Sequence, residues 1–524
     1  MHSNMGAMSS SDSYPADKTR PEVSETISAE TEKSAEQNIH GAAERGIVVT
    51  DIHGDSLVKF DPIAEKKLRL KLDYMVVPMV SILYLFCFID RSNIGNARLA
   101  GLEKDLGLKG YDYNTVLSIF YISYIIFEIP SNLACKWMGP GWFLPAITLG
   151  FGISSLGTAF VHNRAAACGV RFVLGIFEAG MMPGITYYMS RWYRRSELAF
   201  RLALFIVMAP LAGAFGGLLA SAILTLDHFG GLHSWRMIFG IEGIITIGLA
   251  VISFFVITDR PETARWLTQE EKHLAIARVK SERMAQTSLL DKPDKKKIWL
   301  GFWNPMVLST AVIFILNNIT VQGLAFFAPT IVSTIYPHKS TIQQQLYTVP
   351  PYALGAVFVV GISFASWRLD RRAVFIIATA PLTMLGYILF LASKEARVRY
   401  AAAFFTAVSC FALGPLTNAQ VSAVVVGDTS RSIAIGTNVM FGNIGGLVAT
   451  WSYLPFDGPD YRIGNGLNLA AASLILILAV MQLVWMRWDN RRREARDVEG
   501  ELRGLTQGDI EKLEWRHPGF RWRA

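Results

Sequence analysis

Asp90 and Arg91 adjoin inside an otherwise apolar run, and Arg171 precedes Glu178 by seven residues inside another. In hydrocarbon each such group costs roughly 2.5–3.5 kcal/mol on insertion scales, so it faces a partner, a wet cavity or a ligand. Arg presents a planar fork that matches a carboxylate. A carboxyl beside it changes its proton occupancy when a second anion arrives. The chemistry these types suit is recognition of an organic anion coupled to proton exchange. Seven residues are two helical turns, so Arg171 and Glu178 share a face about 10.5 Å apart along the axis. That is long for a direct contact and suits a common partner. The alternative is that Asp90, Arg91, Arg171 and Glu178 neutralise one another and merely lock two helices together.

Other acids are fewer. Glu128 follows Tyr124 by one turn and precedes Pro130 near the end of its run, where it either gates or pairs with a basic loop. Glu242 lies early in its run and reads as structural. The second half of the chain has no acid in the middle of an apolar run and offers amides instead: Asn317, Asn318, Gln322, Asn418, Gln420, Asn438 and Asn443.

The elements that must hold these groups follow from composition. The chain has 524 residues, 52% hydrophobic and 18% charged, with mean hydropathy +0.32. Charge crowds into 1–71, 258–300 and 488–524, with long apolar runs between. This excludes an ordinary soluble enzyme, a disordered chain and a disulfide-stapled module. Twelve runs approach the roughly 20 residues a bilayer requires. They are 73–97, 112–135, 141–161, 166–190, 199–224 and 236–257, then 302–327, 347–367, 373–393, 400–424, 432–454 and 467–487. The fold class is an all-α membrane protein of twelve transmembrane helices in two six-helix, pseudo-symmetric bundles, 72–257 and 301–487. A largely disordered N-terminal tail (1–71), a linker (258–300) and a C-terminal tail (488–524) flank them. Most of the 50 Lys and Arg fall on tails and alternate loops, so the net charge of +8 reads as topology, with both termini cytoplasmic, and not as a nucleic-acid surface. The loop after the ninth run dissents, with Lys394, Arg397 and Arg399. No cleavable leader precedes the first run, so that helix directs insertion.

Other chemistries lack their residues. The four Cys lie in apolar runs and read as small buried hydrophobes. The nine His are scattered, and no metal-ligand spacing, P-loop or nucleophile elbow is present. The chain reads as neither an enzyme nor a holder of metal or cofactor.

A six-plus-six division invites a search for duplication. Residues 215–220, FGGLLA, match 444–449, IGGLVA, each following an Arg (Arg201, Arg431) by a similar interval. Pro183 and Pro415 sit in corresponding places. Gly-rich helix faces also recur in membrane bundles simply because small residues let backbones approach.

These segments resemble the major facilitator superfamily, and within it the anion:cation symporter family, in particular fungal allantoate and nicotinate permeases. The likeness rests on FIDRSNIGNARLAGLEKDL (88–106), FEIPSNL (127–133), RFVLGIFEAGMMPGITYYMSRWYRRSE (171–197), WRMIFGIEGIITI (235–247) and PFDGPDYRIGNG (455–466), and runs from about 70 to 490. It implies alternating access between two bundles and proton-driven uptake of a small carboxylate. The family's Asp-Arg pair and Arg-x6-Glu fall on Asp90-Arg91 and Arg171 with Glu178. The resemblance assigns Asp90 and Glu178 to proton coupling, and Arg91 and Arg171 to the substrate carboxylate. Tyr124 and Asn443 match substrate-facing positions, while Phe88 stands where many members carry Tyr. RLDRR (368–372) matches a loop signature that locks helices on the cytoplasmic side, through Asp370, Arg371 and Arg372.

The reading this supports is a monomeric plasma-membrane importer. An exporter of a secondary metabolite keeps the same fold with reversed direction, and a non-transporting nutrient sensor is a distant third.

Overall fold

The computed structural model describes residues 60–226, 228–280, 295–369, 371–425, 428–504 and 513–522. Among them every named element is a helix. Without water in a bilayer core, backbone N–H and C=O groups must pair internally, and helices do this within one segment.

The first half contains α1 (Pro62–Leu99), α2 (Asp112–Met138), α3 (Pro140–Thr158), α4 (Arg164–Glu178), α5 (Met181–Ser190), α6 (Arg195–Ile206), α7 (Met208–Ile223) and α8 (Trp235–Val256). A linker helix, α9 (Gln269–Lys280), and α10 (Lys295–Phe302) lead to the second half. There follow α11 (Pro305–Ile335), α12 (Val349–Leu369), α13 (Arg372–Ala392), α14 (Ala396–Ala423), α15 (Asp428–Ala449) and α16 (Arg462–Glu494). Ten spans are long and apolar enough to cross a bilayer, α4 with α5 counting as one. The 19-residue α3 and the apolar stretch Ile433–Ala449 of α15 bring the crossings to twelve. Exposed apolar side chains, such as Leu474, Ile477, Val480, Met481 and Val484 on α16, form the outer surface, as lipid contact demands.

Helix ends follow local chemistry. Asp61 accepts the Ile63 N–H at 3.0 Å ahead of Pro62, so α1 starts well before 72 and takes in the basic run at Lys66–Lys71. Asn304 accepts from Met306 N–H at 2.9 Å and donates to Val424 O at 3.1 Å, capping α11 and tying it to α14. The fourth and fifth crossings are broken, at Ala179–Gly180 and at Val207. The first break begins at the residue four before a proline, Ala179 for Pro183, and the second follows such a residue, Ile206 for Pro210. Proline has no N–H for that carbonyl and its ring crowds it, which interrupts the helix there.

The described ends of both tails meet the linker on one face. Arg278 of α9 bonds Glu65 at 2.8 Å and Glu197 at 2.6 Å, and Lys71 bonds Glu271 at 2.6 Å. The Trp515 indole donates to Leu300 O at 3.1 Å. Arg201, the basic residue of the first repeat, grips Asp73 with two bonds of 2.6 and 2.7 Å. The side chain of its counterpart Arg431, and all of Asp370, lie outside the described residues. Arg371 stands at the start of α13 on this tail face, with Arg372 beside it.

Bonds between the bundles gather toward the opposite, far face. Asn114 donates to Thr450 O at 2.6 Å, Ser118 and Thr450 share a 2.8 Å bond, and Trp451 donates to Ser118 at 2.9 Å. Across the other seam Gln345 donates to Asn96 O at 3.3 Å. One glycine of each matching segment, Gly217 and Gly446, occupies these seams. A Cβ on Gly217 would stand 2.9 Å from Thr348 Oγ1, and one on Gly446 would enter the Tyr121 ring. Lys394 and Arg399, which dissent from the charge count, both reach Asp460 of the last far-face loop, at 3.3 and 3.5 Å.

The Gly446 contact yields a test. In Gly446→Val the α2–α15 seam should be forced open, so spin labels on the far-face loops 100–111 and 454–461 should separate relative to the parent protein. Unchanged distances would show that the seam tolerates the added volume.

Candidate functional site

A cavity lies between the bundles, lined by helices of both halves. Its lining follows helix periodicity. Tyr84, Phe88 and Arg91 come from one stripe of α1, and Tyr124 from α2. Phe314, Asn317, Asn318, Val321 and Gln322 form a stripe of α11 at intervals of three and four. Phe411, Gly414 and Asn418 of α14 and Val439, Gly442 and Asn443 of α15 complete that wall. Met182, Ile206 and Ala209 come from beside the two helix breaks. One wall is thus aromatic with a single cation, and the other carries amides.

Arg91 is the cation. Its Nε donates to Glu178 Oε2 at 2.9 Å and its Nη2 lies 2.8 Å from the same oxygen. Its guanidinium stands 4.9 Å from the centroid of Phe88 and 5.1 Å from those of Phe120 and Tyr124. Rings and carboxylate together hold the charge at the cavity wall. Glu178 is fully buried, also takes the Cys87 thiol at 3.6 Å, and its Oε1 has no partner. It ends α4 at the Ala179–Gly180 break. Broken helices of this kind accompany binding sites in transporters.

Asp90 and Arg171 occupy another compartment. Successive helix positions are turned by about 100°, so Asp90 points away from Arg91, toward α3 and α8. Ser155 donates to its Oδ1 at 2.8 Å and Thr246 to its Oδ2 at 3.1 Å. Arg171 donates from Nη1 to Arg91 O at 3.4 Å and lies over the Phe239 ring at 5.7 Å, while its Nε and Nη2 have no partner. Arg171 and Asp90 do not line the cavity described above. The four charges that stand out in the sequence therefore divide between two groups. Arg91 lines the cavity with Glu178 bonded to it from within the first bundle, and Asp90 and Arg171 stand behind α1. The two-turn spacing places Glu178 on the side chain of Arg91 and Arg171 on its carbonyl, so their common partner is Arg91.

Among the described residues Glu128 makes no ion pair with a basic loop. Its Oε2 accepts from Asn443 at 3.0 Å, across the two bundles. Tyr124 and Asn443 both line the cavity. Arg371 and Arg372 lie at the tail-face end of α13, away from it. The sequence reading passed over Tyr84, Phe314 and Phe411. Their signal is spacing: each is on the same face as a polar lining residue (Arg91, Asn317, Asn418), seven or three positions away. The four cysteines are unpaired, and no group of three metal-ligating side chains occurs among the described residues.

Residues 80–450 match the family model described as Major Facilitator Superfamily. A high-affinity nicotinic acid transporter of Saccharomyces cerevisiae is 32% identical over 463 residues, covering 87% of this chain and 84% of its own. An uncharacterized transporter of Schizosaccharomyces pombe is 32% identical over 463 residues, with 88% and 90% covered. The MFS-type transporter efuF of Hormonema carpetanum is 30% identical over 495 residues, with 94% and 97% covered. Among solved structures, a bacterial homolog of the human lysosomal transporter Spinster, inward-facing and unoccupied, aligns with TM-score 0.58 at 14% identity, over 81% of this chain and 97% of that one.

The buried ion pair yields a stability test. Arg91→Met or Glu178→Met alone strands the opposite charge in an apolar setting, and each should lower the melting temperature of the purified protein by several degrees. The double variant should lose less than the sum of the two. Strict additivity in thermal melts would mean that the two side chains are not coupled.

Proposed function

Because this chain belongs to the Major Facilitator Superfamily, we propose that it imports a small organic carboxylate together with protons by alternating access. It is a multi-pass membrane protein of a transporter superfamily and not an enzyme. Within that frame we place it in the anion:cation symporter family, acting as a monomer in the plasma membrane with both tails cytoplasmic. The observation that carries the reading is the Arg91 guanidinium at the cavity wall, bonded to Glu178.

The coupling follows from competition. A substrate carboxylate and Glu178 seek the same guanidinium. While Glu178 is charged it holds Arg91 and repels the incoming anion. When Glu178 takes a proton, its claim on Arg91 weakens and the anion can take the fork. Proton and anion therefore favour each other's binding, which is the thermodynamic requirement of symport. The amides of α11, α14 and α15 supply donors and acceptors for the rest of the substrate, and the rings of α1 and α2 supply a flat apolar face. Nicotinate, a flat ring with one carboxylate and one ring nitrogen, satisfies this set. Its transport by a relative 32% identical to this chain supports the choice.

Arg171 receives a different role from Arg91. It holds the backbone carbonyl of Arg91 and so positions the substrate-binding residue from behind.

In cells or vesicles expressing the protein, nicotinate uptake should saturate and should rise as the outer medium is acidified. Arg91→Ala should lower uptake efficiency by about 100-fold or more, the loss expected when a buried carboxylate loses its fork. Arg91→Lys should recover only part of it. Arg171→Ala should reduce the maximal rate while keeping KM within about twofold. Normal saturation kinetics in Arg91→Ala would remove the substrate role of that residue, and acid-driven efflux in oriented vesicles would reverse the direction.

A further inference from the structure

Glu242 is fully buried in α8, and neither of its carboxylate oxygens has a hydrogen-bond partner. A buried carboxyl without partners is costly and demands an explanation. Its surroundings supply one. Thr246, one turn along the same face, donates to Asp90 Oδ2 at 3.1 Å, which sets Asp90 beside the same stripe of α8 as Glu242. Phe239, three residues before it, carries the Arg171 guanidinium over its ring at 5.7 Å. The helices packed along α8 are α3, α1 and α7. The segments Pro140–Thr158 and Met208–Ile223 contain no ionisable side chain, and α1 contributes Asp90 at this level. Two carboxyls and one guanidinium, Asp90, Glu242 and Arg171, thus form a closed group behind α1. None of them lines the substrate cavity.

We propose that Glu242 and Asp90 share one exchangeable proton, a second proton site separate from the Arg91–Glu178 pair. Two carboxylates in one apolar compartment cannot both hold charge without strong repulsion. With one proton between them the pair bears a single negative charge, which Arg171 balances. The step is proton transfer alone: a carboxylate oxygen takes a proton from water when α1 and α8 are exposed on one side and returns it on the other, with no electron moved. Asp90 immediately precedes Arg91, so a change of charge at the pair acts on the helix that carries the anion-binding residue. The inference rests on the proton-coupled reading above, adding a site to it.

Infrared difference spectroscopy of the full-length protein in lipid nanodiscs tests it, with acidification of the buffer as the only probe. A carboxylic C=O band should appear on acidification, vanish in Glu242→Gln and persist at a shifted frequency in Glu242→Asp. In Asp90→Asn the midpoint of that band should move along the pH axis by about one pH unit or more. A spectrum with no Glu242-dependent band would overturn the proton site, and a midpoint unmoved by Asp90→Asn would overturn the sharing. This readout does not depend on which anion is carried. Its failure leaves the nicotinate uptake reading standing, and failed uptake with the band intact does the reverse.

Discussion

The ion pair between Arg91 and Glu178 is the constraint on which the central architecture depends. A guanidinium at mid-membrane has to be neutralised and enclosed, and much of the surrounding structure does one or the other. Phe88, Phe120 and Tyr124 wrap its faces, and Arg171 anchors its backbone carbonyl. Glu178 reaches it from the end of α4, where the EAGMMPG segment interrupts the helix. Under the proposed function, the pair that stabilises the resting arrangement is also the one an anion disturbs in order to bind. A site that exchanges an internal partner for a ligand avoids leaving a naked charge in either state.

Packing between the bundles complements this. The far-face seams use glycine and small hydroxyl residues, so backbones approach closely and bonds such as Ser118–Thr450 and Asn114–Thr450 form directly. Such contacts are individually weak and involve no buried charge. They can separate without a large electrostatic cost, as alternating access requires. On the tail face, by contrast, the ionic contacts of Arg278 and Arg201 described above lie within the first half and its linker. These bind that half into one body, while the seam between the halves stays free of such locks at Gly217 and Gly446.

The charges behind α1 give the first bundle a second electrostatic centre. Asp90 is satisfied by Ser155 and Thr246, but Glu242 and part of Arg171 are not. Unfulfilled polar atoms in a packed interior are tolerated where a proton or a conformational change completes them. The proposed division of labour, anion at the front of α1 and proton group at its back, would place both on one helix.

Fold class was legible in the sequence because hydropathy over some 20 residues reports directly on bilayer crossing, and the candidate charged groups were legible because charges in apolar runs are rare. Asp90, Arg91, Arg171 and Glu178 stand out for that reason alone. Which of those charges face the substrate was not legible. Neighbours in sequence such as Asp90 and Arg91 project about 100° apart, and only the packing of α1 against α3, α4 and α8 decides that Arg91 meets the cavity while Asp90 turns from it. The same limit hid Glu242. Its residue type suggested a structural acid, and only the tertiary structure shows both its oxygens without partners beside Asp90, because burial and pairing are properties of what other helices bring to a position.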